Sequence, residues 1–158
     1  MKQGGILSPF LFNFFTNDLL IDCLKLNVGA RIGKVNVSTI AYCDDIILIS
    51  PTQGQLQKLI DNCTDFASKW KMKFNSDKSI YYTNEKTIVK NVMVKFSNKP
   101  LKQESGFVYL GLPIGSNTYI EEFIEGKFKK TEKAFYSLYS LGCKPYALNP
   151  LTIVFLYK

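Results

Sequence analysis

Two adjacent aspartates stand between two strand-like runs, and this arrangement restricts the local fold to a hairpin. The run before them, residues 35–40, is rich in β-branched side chains, and the run after them, residues 46–49, is an unbroken apolar stretch. The pattern predicts two antiparallel strands with Asp44 and Asp45 at an exposed turn. Such a pair of carboxylates is suited to Mg²⁺, which prefers oxygen ligands. Aspartate is also common in turns that bind nothing, because its side chain bonds its own backbone.

A glycine pair followed by a helix start lies near the beginning of the chain. Gln3-Gly4-Gly5 predicts a flexible turn that another backbone or a base can approach closely. Ser8 is expected to cap the next helix, with Pro9 as its first residue and Gly29 at its end. An ordinary capped core helix would show the same signals. The side chains expected to pack inward are Phe10, Leu11, Phe14, Phe15, Leu19, Ile21 and Leu24.

A second helix is predicted after the hairpin. Thr52 followed by Gln55 is a capping-box pattern, and apolar residues then recur at three- and four-residue spacing. The expected buried face consists of Leu56, Leu59, Ile60, Cys63, Phe66, Ala67 and Trp70. The helix is expected to return the chain to a strand near residues 73–74. Further strands are predicted at residues 79–83, 92–96 and 107–110, with turns at 99–100 and Gly111.

The downstream part of the chain carries most of the positive charge and a long predicted helix. Residues 1–68 hold 5 basic and 6 acidic side chains, whereas residues 69–158 hold 15 and 7. The helix is predicted from Asn117 to about Leu141, ending at Gly142. Its apolar stripe is Ile120, Ile124, Phe128, Thr131, Phe135 and Leu138, and its basic face is Lys127, Lys129, Lys130 and Lys133. This distribution suits a protein that grips a phosphate backbone beside its metal site. Taken without the motifs, it is more typical of a soluble lysine-rich surface.

The absence of histidine excludes several classes of enzyme. Ser-His-Asp and Cys-His catalytic sites and zinc sites with histidine ligands are impossible without it. The 4 cysteines form no Cys-x-x-Cys pair. No apolar run reaches the length of a membrane span, and no secretory leader is evident. We therefore expect an intracellular chain that is neither secreted nor bound to a membrane.

Taken in order, four segments resemble the reverse transcriptases of non-LTR (LINE-type) retrotransposons. Gln3 to Pro9 is similar to motif B of that family, and Tyr42 to Asp45 is similar to the Tyr-x-Asp-Asp of motif C. Trp70 to Ser79 resembles motif D, and Phe107 to Gly111 resembles motif E, the primer grip. The resemblance implies an α+β fold. A polymerase-type palm, an antiparallel sheet with helices packed on one face, would occupy residues 1–116, and the start of a helical thumb residues 117–158.

The resemblance also implies a role for each matched residue. Asp44 would be the main ligand of a catalytic Mg²⁺ or Mn²⁺, with Asp45 as a second ligand, and Lys78 would donate a proton to pyrophosphate. Tyr42 would support the primer end. Gln3 and Gly4 would lie against the templating base and the incoming nucleotide. The primer grip would consist of Phe107, Tyr109, Leu110 and Gly111. An RNA template, a DNA primer and deoxynucleoside triphosphates are the implied partners.

One element of the family pattern has no counterpart here. A motif A strand with a further metal-binding aspartate precedes motif B in the family, as do the fingers, whereas this chain begins at motif B. The expectation is a fragment of an RNA-directed DNA polymerase that is inactive alone. Two alternatives stay open: a non-catalytic nucleic-acid-binding remnant of a decayed retroelement, and a maturase-type reverse transcriptase.

Overall fold

The structure, a computed structural model, describes residues 7–83, 93–140, 149 and 151. The chain divides into two units. The first unit takes Met1–Tyr81 and Glu85–Gln103, and the second takes Tyr82–Asn84 and Glu104–Lys158. The palm and thumb boundary at residues 116–117 stays a prediction from the resemblance.

Helix α1, Ser8–Lys25, opens the described part of the first unit, and both of its ends differ from the sequence prediction. Leu7 is the N-cap and makes no side-chain cap, so Ser8 lies inside the helix. At the other end Leu26 is the C-cap, and Asn27 adopts a left-handed conformation with φ of 54°. Asparagine tolerates this conformation better than most residues. The helix therefore ends at Lys25, before Gly29, and Asn27 turns the chain away.

The buried face of α1 is narrower than predicted. Leu19 and Cys23 are fully buried and Thr16 nearly so, at the three- and four-residue spacing of one helix face. Phe15 packs against the same core. The inward packing expected of five other side chains is wrong, because Phe10, Leu11, Phe14, Ile21 and Leu24 are exposed. Apolar residues surround this helix on all sides, so their spacing alone could not identify the face that packs.

Helix α2, Gln53–Lys69, follows the sequence prediction closely. Thr52 is the N-cap, and its hydroxyl accepts a hydrogen bond from the Gln55 backbone N–H at 3.4 Å. The predicted face is buried or partly buried, except that Trp70 at the C-cap is 43% exposed. The core formed between the helices and the following strands contains Leu19, Cys23, Leu59, Ile60, Cys63, Phe66, Val94 and Phe96.

The strands of the first unit pair two by two. They are β1 Arg31–Ile32, β2 Val35–Asn36, β3 Thr39–Tyr42, β4 Asp45–Leu48, β5 Ile80–Tyr81, β6 Lys95–Phe96, β7 Lys99–Pro100 and β8 Lys102–Gln103. Pairs β1–β2, β3–β4 and β6–β7 are antiparallel, and β5–β8 is parallel. The mixed α and β class is confirmed. The described strands form separate pairs and no single antiparallel sheet.

Two strand predictions and one turn prediction are wrong. The predicted strand 35–40 is split into β2 and β3, because the Asn36 side chain accepts a hydrogen bond from the Ser38 N–H and bends the chain. No strand forms at residues 73–74. The turn expected at residues 99–100 lies two residues earlier, at Ser97 and Asn98, whose φ values of 48° and 65° suit a two-residue hairpin.

The second unit joins a hairpin to a long helix. Strands β9 Gly106–Tyr109 and β10 Leu112–Gly115 are antiparallel, and α3 spans Asn117–Ser140. The helix bounds agree with the sequence prediction, and Gly142 lies outside the described residues. The predicted apolar stripe of α3 is largely exposed, including Ile124, Phe128 and Phe135. Within the described residues, no helix has the length and apolar character needed to cross a membrane.

Candidate active site

The acidic hairpin is formed by β3 and β4. Tyr42 pairs with Asp45 across the strands, and Cys43 and Asp44 make the two-residue turn between them. The sequence prediction is corrected in one respect, because Asp44 lies in the turn whereas Asp45 is the first residue of β4. All four side chains are exposed, as expected for the tip of a hairpin.

Alternation along β4 decides which way Asp45 faces. Ile46 and Leu48 pack against the core, so Asp45 and Ile47 face the opposite side of the hairpin. Directly paired residues share a face, and Tyr42 therefore lies beside Asp45. The outer face of the tip presents a phenol and a carboxylate side by side, next to the turn that carries Asp44.

Cys43, to which sequence reasoning assigned no role, has a backbone role at the turn. Its φ is 51°, an uncommon value for a residue other than glycine. Two-residue hairpin loops need positive φ at this position, because their twist must match that of the flanking strands. The conformation of Cys43 thus sets the direction in which Asp44 leaves the turn.

The open end of the hairpin is fixed to the segment that follows α1, and that segment is in turn bonded to α2. Ala30 donates a backbone hydrogen bond to the Ile49 carbonyl at 2.9 Å, and Ile49 donates one to the Ser38 carbonyl at 2.7 Å. The Gly29 N–H donates to Gln55 Oε1 at 3.0 Å. Gly29 has a φ of 91°, and a Cβ there would lie 2.3 Å from the Ser38 Cβ, so only glycine fits. The acidic tip therefore extends from a tightly held base.

Sequence reasoning missed this function of Gln55. The capping-box pattern predicts that the Gln55 side chain accepts a hydrogen bond from the Thr52 N–H. In the structure its carbonyl oxygen is used by Gly29, and the Thr52 N–H donates to Ser50 Oγ at 3.2 Å. A capping glutamine that instead makes a long-range contact carries no local sequence signal.

The acidic tip fits part of a divalent-metal site. Asp44 and Asp45 offer two exposed carboxylates on consecutive residues. Among the described residues, no cluster of three or more His, Cys, Asp or Glu side chains suitable for a metal occurs. Mg²⁺ commonly uses one or two carboxylates and takes its other ligands from water and substrate phosphates. The chemistry of this donor set suits Mg²⁺ or Mn²⁺ held jointly with a phosphate.

Lys78 lies in an exposed turn organised by Asn75. Asn75 Oδ1 accepts backbone hydrogen bonds from Asp77 at 3.1 Å and Lys78 at 3.3 Å. The Asn75 carbonyl accepts a further bond from the Ser79 N–H at 3.1 Å. Asparagine side chains often stabilise turns in this way. The prediction of a strand near residues 73–74 did not take this turn signal at Asn75 into account. In the described part of the chain, no hydrogen bond or ion pair joins Lys78 to the acidic tip.

Aromatic contacts join helix α1 to the start of the segment that resembles motif D. The Trp70 ring at the end of α2 meets Phe15 of α1 edge-on, with ring centroids 5.0 Å apart. Phe66 completes the group at 5.7 Å from Phe15. Phe74 meets Phe96 edge-on at 5.7 Å, which attaches the following loop to β6. Packing against the core thus positions the loop that carries Lys78.

The segment expected to form a primer grip is the β9–β10 hairpin of the second unit. Phe107 pairs with Ile114 and Tyr109 with Leu112. Leu110 and Gly111 form the turn, with φ values of 49° and 83°. The prediction that Leu110 ends the strand is wrong, because the strand ends at Tyr109 and Leu110 lies 53% exposed in the turn. Tyr109 Oη is buried without a hydrogen-bond partner among the described residues.

Two predicted site residues, Gln3 and Gly4, lie outside the described residues. Their assignment to the templating base and the incoming nucleotide stays a prediction.

Comparison with known proteins identifies relatives of this chain. The family model described as "Reverse transcriptase (RNA-dependent DNA polymerase)" matches residues 1–114. The Retrovirus-related Pol polyprotein from type-2 retrotransposable element R2DM of Drosophila melanogaster is 40% identical over 78 residues, 49% of this chain. The corresponding polyprotein from type-1 retrotransposable element R2 of Popillia japonica is 31% identical over 81 residues, 51% of this chain.

The matched segments are small parts of these relatives, 7% of the Drosophila polyprotein and 11% of the Popillia one. No solved structure gives a significant match. The family match covers the acidic hairpin, the Lys78 turn and most of the β9–β10 hairpin, and it confirms the resemblance to reverse transcriptases of non-LTR retrotransposons. The chain belongs to the reverse transcriptase (RNA-dependent DNA polymerase) family.

Proposed function

We propose that this chain supplies the metal-binding hairpin of an RNA-directed DNA polymerase, which extends a DNA primer on an RNA template with deoxynucleoside triphosphates. The observation that carries the proposal is the closed two-residue turn that exposes Asp44 and Asp45 within a matched reverse transcriptase segment. In this proposal the first unit and the β9–β10 hairpin belong to a polymerase palm, and α3 begins the thumb.

The acidic tip would hold the catalytic ion. Asp44, in the turn, is the main ligand in this proposal, and Asp45 is the second. When bound, Mg²⁺ or Mn²⁺ would act as a Lewis acid, lowering the pKa of the primer 3′-hydroxyl and neutralising charge on the triphosphate. Tyr42 shares a face with Asp45 and would contact the sugar at the primer end. An exposed tip on a fixed base suits this task, since positioning contributes much of the catalysis of phosphoryl transfer.

Three other groups complete the proposal. Lys78, exposed on the Asn75 turn, would donate a proton to the leaving pyrophosphate. Gln3 and Gly4 would contact the templating base and the incoming nucleotide. The primer grip would be the β9–β10 hairpin, whose exposed tip residues Leu110 and Gly111 would lie against the primer backbone.

Primer extension with a chimeric enzyme tests this function. The part of the Drosophila polyprotein that corresponds to residues 1–114 of this chain would be replaced by those residues, and extension of a primer on an RNA template would be measured with Mg²⁺. We expect activity that Asp44→Asn reduces by several orders of magnitude and that Asp45→Asn reduces less. Asp65→Asn, an exposed acid on α2, is the matched control and should leave activity unchanged.

The same assay with the 158-residue chain alone should show no extension. Two-metal transfer needs ligands that fix two ions about 4 Å apart, and the acidic tip provides only one adjacent pair. Full activity of the Asp44→Asn chimera would overturn the assignment of Asp44. Metal-dependent extension by the chain alone, lost in Asp44→Ala, would overturn the expectation that further ligands are required. Salt-dependent RNA binding with no activity in any chimera would favour a non-catalytic nucleic-acid-binding module.

A further inference from the structure

One side chain of α2 is bonded to the segment from which the acidic hairpin starts. Gln55 Oε1 accepts a hydrogen bond from the Gly29 N–H at 3.0 Å, across 26 residues of chain. The bond is partly buried, and a hydrogen bond in such a place is electrostatically stronger than one in water. Gln55 therefore provides a polar link between α2 and the backbone before the hairpin.

The residue that follows Gly29 is bonded to both sides of the hairpin base. The Ala30 N–H donates to the Ile49 carbonyl at 2.9 Å, and the Ala30 carbonyl accepts from the Val37 N–H at 2.9 Å. Ile49 comes directly after β4, and Val37 lies shortly before β3. A displacement of residues 29–30 is therefore transmitted to both strands together.

Close packing gives Gly29 little room to move without the hairpin. A Cβ on Gly29 would lie 2.9 Å from the Ile49 carbonyl oxygen and 3.2 Å from Leu59 Cδ1. Leu59 is fully buried and stands one turn after Gln55 on the same face of α2. Gly29 is thus held from α2 by one polar and one apolar side chain, and it lies directly against the hairpin base.

The N-terminus of α2 does not need the Gln55 side chain. Thr52 Oγ1 accepts a hydrogen bond from the Gln55 N–H at 3.4 Å, and the Thr52 N–H donates to Ser50 Oγ at 3.2 Å. The second of these bonds replaces the one that a glutamine side chain at this position usually makes. Removal of the Gln55 side-chain oxygen should therefore leave the helix cap intact and act on Gly29.

We propose that Gln55 is a positioning residue of the polymerase, which sets the direction of the acidic hairpin and so the place of the catalytic metal. This inference rests on the proposed function of Asp44 and Asp45. The strands pair along their whole length, so the hairpin moves as one body. Tyr42 is about 13 Å beyond Ser38 along an extended strand, so a rotation of about 5° at the base moves the tip by about 1 Å. Misplacement of a catalytic group by about 1 Å can lower the rate about 100-fold.

Gln57, two residues further along α2, offers a matched control. Its side-chain amide accepts a hydrogen bond from the Lys95 N–H at 2.9 Å and donates one to the Lys95 carbonyl at 2.8 Å. Like Gln55, it is half-buried and joins α2 to backbone distant in sequence. The backbone that it holds belongs to β6, however, and not to the hairpin base. Gln57→Met thus removes the same kind of group from the same helix and leaves the Gly29 bond in place.

Single-turnover primer extension by the chimeric polymerase measures the effect on catalysis. Gln55→Met keeps the length of the side chain but removes the acceptor, and it should lower the rate at saturating nucleotide by about ten- to a hundredfold. It should also raise the Mg²⁺ concentration that gives half the maximal rate, because Mg²⁺ demands near-ideal ligand geometry. Gln55→Glu retains an acceptor oxygen and should restore most of the rate. Gln57→Met should leave both quantities close to those of the unmutated chimera.

Amide hydrogen exchange of the 158-residue chain tests the same role without polymerase activity. Gln55→Met should speed exchange in residues 37–49, because the base of the hairpin then opens more often. Gln57→Met should instead speed exchange in residues 93–101. Exchange in the buried middle of α1 should stay slow in both variants, which shows that each remains folded.

Two outcomes would overturn the proposal. The first is an equal rate of extension in the Gln55→Met and Gln57→Met chimeras, which would make Gln55 no more than a structural contact. The second is unchanged exchange of residues 37–49 in Gln55→Met. An inactive unmutated chimera would contradict the proposed function alone, and the exchange comparison would still decide whether Gln55 holds the hairpin.

Discussion

Gly106 and Gly115 are partners across the β9–β10 hairpin, and the ring of Tyr119 from α3 lies where a side chain on either would stand. A Cβ on Gly106 would be 2.4 Å from Tyr119 Cδ1 and 2.7 Å from the Ile114 carbonyl oxygen. A Cβ on Gly115 would be 2.4 Å from the Gly106 Cα. The absence of both side chains lets the first turn of α3 pack directly on the hairpin.

Gly106→Ala should therefore destabilise the chain. An extra carbon in so close a contact forces the hairpin or α3 to move, at a typical cost of about 1–3 kcal/mol. Urea unfolding followed by circular dichroism measures the change. Gly126→Ala is the control, since Gly126 belongs to the same unit, in α3, and has open space around its Cα. That substitution should stabilise by about 1 kcal/mol through helix propensity. Equal effects of the two substitutions would contradict the packing described.

The orientation of α1 can be tested with two substitutions on that helix. Leu19→Ala removes a fully buried side chain and should cost about 2–5 kcal/mol of unfolding free energy. Phe14→Ala removes a side chain that is 82% exposed and should change the stability by less than about 0.5 kcal/mol. Both values come from the same denaturation experiment. A larger loss for Phe14→Ala than for Leu19→Ala would show that α1 packs through its other face.

The contrast between α1 and α2 shows what the sequence could and could not predict. In α2, polar residues separate the apolar ones, so the spacing identified Leu59, Ile60 and Cys63 as buried. In α1, apolar residues occupy every face, and the packed face is decided by partners distant in sequence such as Leu59. The bounds of α2 and α3 depend on local signals and were predicted well, whereas both ends of α1 were missed. The two-residue strand pairs depend on turn conformations at residues such as Asn98.

Metal binding at the acidic tip can be measured on the chain itself. Isothermal titration with Mn²⁺ should show weak binding, because two carboxylates without further protein ligands leave most positions on the ion to water. Asp44→Asn should weaken binding by at least tenfold, and Asp45→Asn by less. Asp65→Asn on α2 should have no effect. Binding that is unchanged in Asp44→Asn would place the ion elsewhere.

Nucleic-acid binding by α3 should depend strongly on salt. Its basic face consists of Lys127, Lys129, Lys130 and Lys133, and each phosphate that is no longer neutralised should lower the salt slope by about 0.7–0.9. Changing all four to glutamine should therefore weaken binding to single-stranded RNA at low salt and flatten its salt dependence. Fluorescence anisotropy over a salt series gives both quantities. An affinity that does not vary with salt in the unmutated chain would contradict an electrostatic origin.

The lysines of α3 should not contribute equally. Lys129 Nζ lies 2.7 Å from Glu125 Oε1, and this ion pair must be given up before Lys129 can contact a phosphate. Lys130 has no carboxylate partner in the described part of the chain. Lys130→Gln should thus reduce RNA affinity more than Lys129→Gln, by the same anisotropy measurement. The reverse order would indicate that the pair opens without cost.

The sequence predicted the two acids of the candidate site, but not the backbone conformation and the hydrogen bond that hold them in place. Asp44 and Asp45 stand out because adjacent acids between apolar runs are a local pattern. The positive φ of Cys43 and the hydrogen bond from Gly29 to Gln55 depend on how the chain closes on itself. Neither feature can be recognised from the residue spacing. Many residue types are compatible with the position before Asp44, and a glutamine after Thr52 does not by itself indicate a bond to Gly29.

The bond between Gly29 and Gln55 also bears on the order in which the molecule folds. It closes a segment of 26 residues that contains the whole acidic hairpin and the contacts of its base. Closing so short a segment costs little chain entropy compared with bringing together elements far apart in sequence. Local contacts of this kind favour rapid formation. The acidic tip is therefore expected to form early from its own stretch of chain, whereas β6 packs against α2 only through contacts between residues much further apart in sequence.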